Sequence, residues 1–302
     1  MSATDARTTA ADITAAVLAR LEGTPDPRLA EIMRSLVTHL HGFVTEVGLT
    51  EEEWRAGIQV LTATGDITDA TRQEFILWSD SLGVSMLVDA LRHELPPEAT
   101  ESTVLGPFYA AGSPLREYGA RLDERDAGAP AWVHGVVRSI DGTPLAGAEL
   151  DVWQNGDDRL YAVQDPEAPE HHLRGRFRTR ADGSFAFLAV RPTAYPIPDD
   201  GPVGRMLAAT ARHPWRPAHI HVVVRAGGHR TLTTHLFDDA SEYLDSDAVF
   251  AVKPSLLRTF VAREPDDPQR PDGVDGPWFS LESDFVLVPG DGVEPVDPGR
   301  TD

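Results

Sequence analysis

The sequence predicts an α+β fold, with an N-terminal α-helical domain over residues 1–100 followed by an antiparallel β-sandwich over residues 101–302. Two observations predict it. Apolar residues recur at helical spacing through the first third and at a period of two afterwards. Glycine and proline become frequent past Pro97 and mark turns between short strands. A chain of 302 residues with 41% hydrophobic content can bury a sizeable core as one large or two smaller domains.

The helices follow in order. Around Asp12 to Glu22, Ile13, Val17 and Leu21 share one side. From Pro27, the run Leu29, Ile32, Met33, Leu36, Val37, Leu40, Phe43, Val44 and Val47 repeats along one helix face, and Gly48 stops it. Thr50-Glu51-Glu52-Glu53 fits a capping box that starts a helix reaching about Gly65. A further helix runs from near Thr68, carries Phe75, Ile76, Leu82, Met86, Leu87 and Leu91, and ends before Pro96-Pro97. Its residues from Phe75 to Leu91 are apolar on more than one face, which predicts burial against its neighbours and a second domain or subunit. Asp80 lies mid-run. An acid there either faces solvent or is set for a purpose, and the pattern favours solvent.

The remainder reads as strands. Trp132–Val137 is one, and Asp141-Gly142-Thr143-Pro144 is a turn. Ala148–Trp153 alternates Leu150 and Val152 against Glu149 and Asp151. Arg176–Thr179 and Ser184–Leu188 flank Asp182-Gly183, a hairpin signal. His219–Arg225, Thr231–Phe237 and Asp284–Val288 complete a set that argues for a sandwich or barrel. There is no internal repeat.

Charge and composition exclude several functions. A net charge of −21 argues against nucleic acid and against an anionic membrane surface. Glu264–Asp275 and Asp291–Asp302 are rich in Asp and Pro and read as solvated loops. No cysteine is present, so disulfides, thiolate metal sites and Cys nucleophiles fall away together. Met1–Ala16 has no long apolar core, and no apolar run nears the roughly 20 residues that span a bilayer. A soluble cytoplasmic protein is expected.

Chemistry concentrates in Arg216-Pro217-Ala218-His219-Ile220-His221. Residues i and i+2 of a strand share a face, so His219 and His221 project together and can share one metal ion. Pro217, without an N–H, suits a strand entry. A His-x-His pair alone reads more readily as a polar strand face, so further ligands are needed. Tyr161 follows the polar loop Asn155–Leu160, and Tyr195 sits in the proline-bracketed Arg191–Pro198. Each alone reads as a packing residue. Without cysteine, however, a phenolate is the natural anionic partner for two histidines on ferric iron. Two phenolates and two neutral imidazoles bring the net charge of Fe(III) to about +1. Arg216 would set a fixed positive charge beside this site, or else form an ordinary surface salt bridge.

Together these residues resemble the intradiol ring-cleaving dioxygenases, the catechol 1,2-dioxygenase superfamily. The matching stretches are Leu105–Tyr109, Gly142–Ala148, Asp151–Asn155, the two tyrosine loops and Arg216–His221, in order over most of the chain. Gly142–Ala148 alone is shared with transthyretin-like modules, so a metal-free sandwich that binds a sugar or a partner protein is the rival of another class. The resemblance implies one mononuclear non-haem Fe(III) per chain, held by Tyr161, Tyr195, His219 and His221. Leu77–Val88 and Glu101–Phe108 are similar to hydroxyquinol 1,2-dioxygenases, which cleave benzene-1,2,4-triol with O2 to 3-hydroxy-cis,cis-muconate (maleylacetate) in aromatic degradation. Thr233-Thr234-His235 departs from the glutamine usual after Thr-Thr in the catechol branch. That weakens a plain catechol assignment, fits the hydroxyquinol branch and leaves a third histidine outside the implied ligand set; a catechol or chlorocatechol 1,2-dioxygenase with the same iron is the alternative.

By the same resemblance, Leu77, Asp80, Val104, Gly106, Pro107, Phe108, Ile197, Pro198, Arg216 and Val249 line the substrate pocket. Asp80 would accept a hydrogen bond from the extra hydroxyl of the triol. Tyr195 would leave the iron and take a substrate proton, and Arg216 would stabilise developing negative charge. A homodimer through the N-terminal helices, with a lipid-like molecule between them, is also implied.

Overall fold

The computed structural model describes residues 8–69, 72–92, 95–125 and 127–292. Residues 293–302 of the expected solvated tail lie outside these. The chain divides into two compact units, residues 1–62 and 63–302. The last of the N-terminal helices ends at Arg92 and the first strand begins at Pro130, so the break in packing and the change in secondary structure fall at different places along the chain.

In the first unit, α1 (Ala10–Arg20) opens with a capping box between Thr9 and Asp12. Helix α2 (Pro27–Glu46) is capped by Asp26, which accepts from the N–H groups of Arg28 and Leu29. Helix α3 (Glu51–Asp66) begins at the expected box, with Glu53 N–H donating to Thr50 Oγ1 and Thr50 N–H to Glu53. The repeating apolar residues of α2, among them Leu29, Ile32, Leu36, Leu40 and Phe43, face outward.

The single helix expected from Thr68 to Pro96 is two, α4 (Glu74–Ser81) and α5 (Val84–Arg92). Gly83 separates them at φ +73°, a left-handed conformation that ends a helix and that glycine adopts without a Cβ clash. Leu77 and Met86 are buried, while Phe75, Leu82, Leu87, Val88 and Leu91 remain exposed.

The sandwich contains β1 (Pro130–Ser139), β2 (Glu149–Trp153), β3 (Arg174–Arg178), β4 (Ser184–Val190), the short pair β5 (Tyr195–Pro196) and β6 (Trp215–Arg216), β7 (His219–Arg225), β8 (Leu232–Asp238), β9 (Leu257–Arg258), β10 (Val261–Arg263), β11 (Trp278–Glu282) and β12 (Phe285–Leu287). One sheet runs β10-β11-β1-β12, with β4 also paired to β1, and the other runs β3-β2-β7-β8-β9. Residues from both inner faces form the core, including Leu150, Ile220 and Val222 from one and Val133, Phe187 and Phe285 from the other.

Two expectations are corrected. The sheets are mixed and not purely antiparallel: β1 pairs β11 and β12 in parallel, and β8 pairs β9 in parallel. Parallel neighbours need a long crossover, and residues 140–277 supply it between β1 and β11. Asp182-Gly183 does make a tight turn, with Arg180 N–H donating to Ser184 O at 2.9 Å. It joins no hairpin, because β3 and β4 diverge into opposite sheets. Pro202–Ala209 forms a further helix, α6, in a stretch to which the sequence assigned no element. Pro202 stands in its first turn, where the missing N–H costs nothing.

Candidate metal centre

Strand β7 separates the core from the site by simple alternation. Ile220, Val222 and Val224 enter the sandwich core, whereas Val223 packs on the opposite face with Tyr161, Tyr195, Trp153 and Phe108. His219 and His221, odd-numbered like Val223, share that outer face. Covering segments bury it, so His219 and His221 are almost wholly enclosed.

Four donors converge there. The His219 and His221 Nε2 atoms are 3.1 Å apart. The Tyr161 hydroxyl lies 3.0 Å from His221 Nε2 and 3.5 Å from His219 Nε2. The Tyr195 ring stands edge-on to that of Tyr161 at 5.2 Å and lies 5.6 Å from the His219 ring. Pairing of β5 with β6 sets Tyr195 opposite Arg216. Arg216 Nη1 reaches both the Tyr195 hydroxyl, at 3.4 Å, and His219 Nε2, at 3.3 Å.

The residues fit a metal on their own chemistry. His219 Nδ1 is 2.7 Å from the carbonyl of Pro217 and must donate to it, which leaves Nε2 as a bare lone pair aimed at the cluster. Burial first, then the charge of Arg216, holds His219 well below the usual imidazole range. Burial, then its neighbour His219, does the same to His221. Both are therefore neutral, the ligating form. Burial first and Tyr195 second push the Tyr161 phenol well above its ordinary value. Its phenolate thus needs a nearby cation, and Arg216 alone does not offset the burial.

The surrounding residues fix these rings. Trp153 stacks on His221 at 4.6 Å and 12°. Phe108 stacks on Tyr161 at 4.7 Å. Arg174 holds the segment bearing Phe108, donating to the carbonyls of Phe108 and Ala110 at 3.0 Å each. Gly106, at φ +79°, brings backbone so near that an added Cβ would sit 3.3 Å from His221 Cε1. His235 faces His221 across the β7–β8 ladder, and its Nδ1 bonds the Thr103 hydroxyl. With His219 and His221 it forms a group whose ligand atoms lie within 4.8 Å of one another.

Beside the centre, Leu77, Val104, Ile197 and Val249 join one apolar cluster. Leu77, Pro107, Phe108 and Pro198 line an open pocket of about 210 Å³. One expectation about charge is overturned, and one alternative reading falls. Asp80 does not face solvent: it is 2% exposed, and burial raises its pKa against the opposing influence of Ser85 and Arg216. Arg216 is no surface salt bridge either, being 2% exposed and bound to Asp247. Although burial disfavours its charge, Asp247 foremost keeps Arg216 a cation.

Asp247, Trp153, Thr103 and Arg174 were missed in the sequence. Trp153 carried a signal, since alternation from Val152 places it on the outer face of β2 beside His221. Asp247 carried none, lying in an acid-rich loop 31 residues from its partner.

Residues 104–287 match the family model described as Dioxygenase, and residues 26–100 match that described as Catechol dioxygenase N terminus. The chain is 48% identical over 283 residues to a hydroxyquinol 1,2-dioxygenase of Nocardioides simplex, covering 92% of this chain and 95% of that one. It is 48% identical to a 6-chlorohydroxyquinol 1,2-dioxygenase of Cupriavidus pinatubonensis, with 92% and 97% covered. The crystal structure of a hydroxyquinol 1,2-dioxygenase from Pseudomonas putida superposes with a TM-score of 0.86 at 50% identity, covering 93% of this chain and 99% of that one.

Proposed function

This chain belongs to the intradiol ring-cleaving dioxygenases, and from that premise we propose that it cleaves benzene-1,2,4-triol between its adjacent hydroxylated carbons. The observation that carries the reading is the convergence of Tyr161, Tyr195, His219 and His221 in a buried cluster, in a chain nearly half identical to hydroxyquinol-cleaving relatives. These four side chains would hold one mononuclear non-haem Fe(III). When bound, ferric iron would gather the two adjacent oxygens of the substrate and make its ring reactive toward O2.

The remaining steps fall to the protein. Tyr195 accepts a proton from the incoming diol, and Arg216 Nη1 stands 3.4 Å from its hydroxyl and orients it. Arg216 then stabilises the charge that develops on the substrate, because its guanidinium is fixed by Asp247 and cannot reorient into water. Leu77, Ile197 and Val249 keep water from the ring. Asp80, buried beside this wall, accepts the hydrogen bond of the third hydroxyl. A site built for that hydroxyl leaves a polar group unpaired when plain catechol binds, and so selects against it. Val104, Gly106, Pro107, Phe108 and Pro198 complete the pocket.

The outward apolar residues of α2, and separately those of α4 and α5, support a homodimer through the helical region, and a lipid-like molecule bound there belongs to the same proposal. Among the described residues, no helix is long and apolar enough to cross a membrane.

The decisive test is spectroscopic. The purified protein should be red-brown from tyrosinate-to-iron charge transfer, and its band should shift on anaerobic addition of benzene-1,2,4-triol. Oxygen uptake should be faster with the triol than with catechol or chlorocatechol. A colourless, iron-free protein would overturn the metal assignment, and faster turnover of catechol would overturn the substrate.

A further inference from the structure

Resting on the reading above, we propose that Arg72 forms a carboxylate-binding site at the mouth of the substrate pocket, and that this site takes the ring-opened dicarboxylate product. Arg72 lines the same pocket as Leu77, Phe108 and Pro198, with Gln73 and Gln164 beside it as further polar groups. The guanidinium is held from behind. Its Nε and Nη2 each lie 3.1 Å from Glu74 Oε2. Glu74 is wholly buried, and its other oxygen accepts the Val203 N–H at the start of α6 at 3.0 Å. Arg72 therefore cannot swing away without stripping a buried carboxylate of its cation.

The front of the guanidinium is different. Nη2 lies 2.7 Å from Asp200 Oδ1, and the Asp200 side chain is 75% exposed. An exposed partner is weakly held and readily displaced. Nη1 has no partner among the described residues. One amino group of this pocket-lining fork thus stays available, next to a partner that a ligand can replace. That arrangement suits a carboxylate, which a guanidinium binds at two points.

The reaction supplies the ligand. One ring carbon–carbon bond breaks, both oxygen atoms of dioxygen enter the organic product, and the ring carbons give up the electrons that reduce them. The two new carboxyl groups release their protons at neutral pH, since carboxyl pKa values lie near 4. The free substrate is a neutral phenol, so each turnover takes up an uncharged molecule and must release a dianion. Arg72 distinguishes the two by charge alone. It draws the product from the apolar wall toward the mouth, in a chain whose net charge of −21 otherwise repels it.

The test uses the full-length, iron-loaded protein and cis,cis-muconate as the dicarboxylate probe. Its affinity is measured by calorimetry and by inhibition of triol turnover. Arg72→Lys keeps a cation for Glu74 but loses the fork, and should weaken muconate binding by about five- to tenfold. Asp200→Asn removes the competing carboxylate and should tighten binding by about threefold, with KM for the triol unchanged. The opposite signs separate a binding site from general damage to the pocket. Unchanged muconate affinity in both variants, or weaker binding in Asp200→Asn, overturns the proposal. Failure of the underlying functional reading is seen separately, as absent colour or absent triol turnover in the unmodified protein.

Discussion

Arg216 and Asp247 form a two-point ion pair sealed from water, with Nε 3.0 Å from Oδ1 and Nη2 3.4 Å from Oδ2. The pair sits at the back of the candidate metal centre and gives the guanidinium one direction in which to act. Asp247 is itself anchored by the N–H groups of Val249 and Ala251. The loop carrying Val249 thereby fixes both a wall of the proposed substrate pocket and the guanidinium proposed to face the substrate.

Removing the acid should therefore cost more than a hydrogen bond. Asp247→Ala leaves a buried cation without its partner, which should destabilise the fold by about 3–5 kcal/mol. Asp247→Asn retains an acceptor for the backbone and should cost less. Urea unfolding measures both. Equal stability of Asp247→Ala and the parent protein would show that Arg216 finds another partner.

Tyr195→Phe and Tyr161→Phe should differ in kind. Each removes one phenolate and should alter the visible charge-transfer band. Tyr195→Phe also removes the proton acceptor, so its kcat should fall by roughly 10²–10⁴ with iron retained. Tyr161 has its hydroxyl 3.0 Å from His221 Nε2, so Tyr161→Phe should chiefly weaken iron retention. Metal content and single-turnover rates on the two variants separate these roles. Identical losses in both would remove the distinction between them.

The centre was legible because alternation in a strand is a local rule. His219 and His221 had to share a face, and that face had to be opposite Ile220 and Val222. Tyr161 and Tyr195 were picked out by unusual loop settings and by the absence of thiolates. What sequence reading lost was set by distant contacts. The apolar run around Asp80 predicts burial of the segment, but nothing in it tells on which side the acid falls, because its covering residues arrive from elsewhere in the chain. The parallel placement of β11 against β1 depends on pairing Ala131 with Phe279, across most of the sandwich sequence. The turn at Asp182-Gly183 was correctly located, yet a turn does not declare whether its arms will pair or part. The break at Gly83 was hidden by apolar spacing that continues on both sides.

Asp80 also predicts a pH effect. Its folded pKa is raised above the ordinary carboxyl value of 3.8 by burial. The folded state then binds more protons than the unfolded state between those two values, so stability falls as pH rises through that window. Asp80→Asn removes this dependence. The variant should be more stable than the parent at neutral pH, with the gain disappearing below about pH 4. It should also lower the preference for the triol over catechol. Thermal unfolding from pH 3.5 to 8 checks the first outcome and paired kinetics the second. A parallel pair of stability curves would show that burial of Asp80 carries no such cost.

Gly106 offers the most direct probe of how tightly the centre is held. Both Gly106 and Gly142 have positive φ, +79° and +87°. Alanine at either position suffers the left-handed backbone cost of roughly 1 kcal/mol. They differ in surroundings: a Cβ at Gly142 would meet nothing within 4 Å, whereas one at Gly106 would sit 3.3 Å from His221 Cε1. The His221 ring has little freedom to yield, because Trp153 stacks on it at 4.6 Å and His235 lies at 4.3 Å. Displacing it by a few tenths of an ångström would move its Nε2 relative to that of His219. Gly142→Ala should therefore lower stability with no effect on iron. Gly106→Ala should lower stability further and release iron faster to a chelator, with a shifted visible band. If the two variants lose iron at the same rate, the ring of His221 is not held by the backbone at Gly106, and the centre is more compliant than its packing implies.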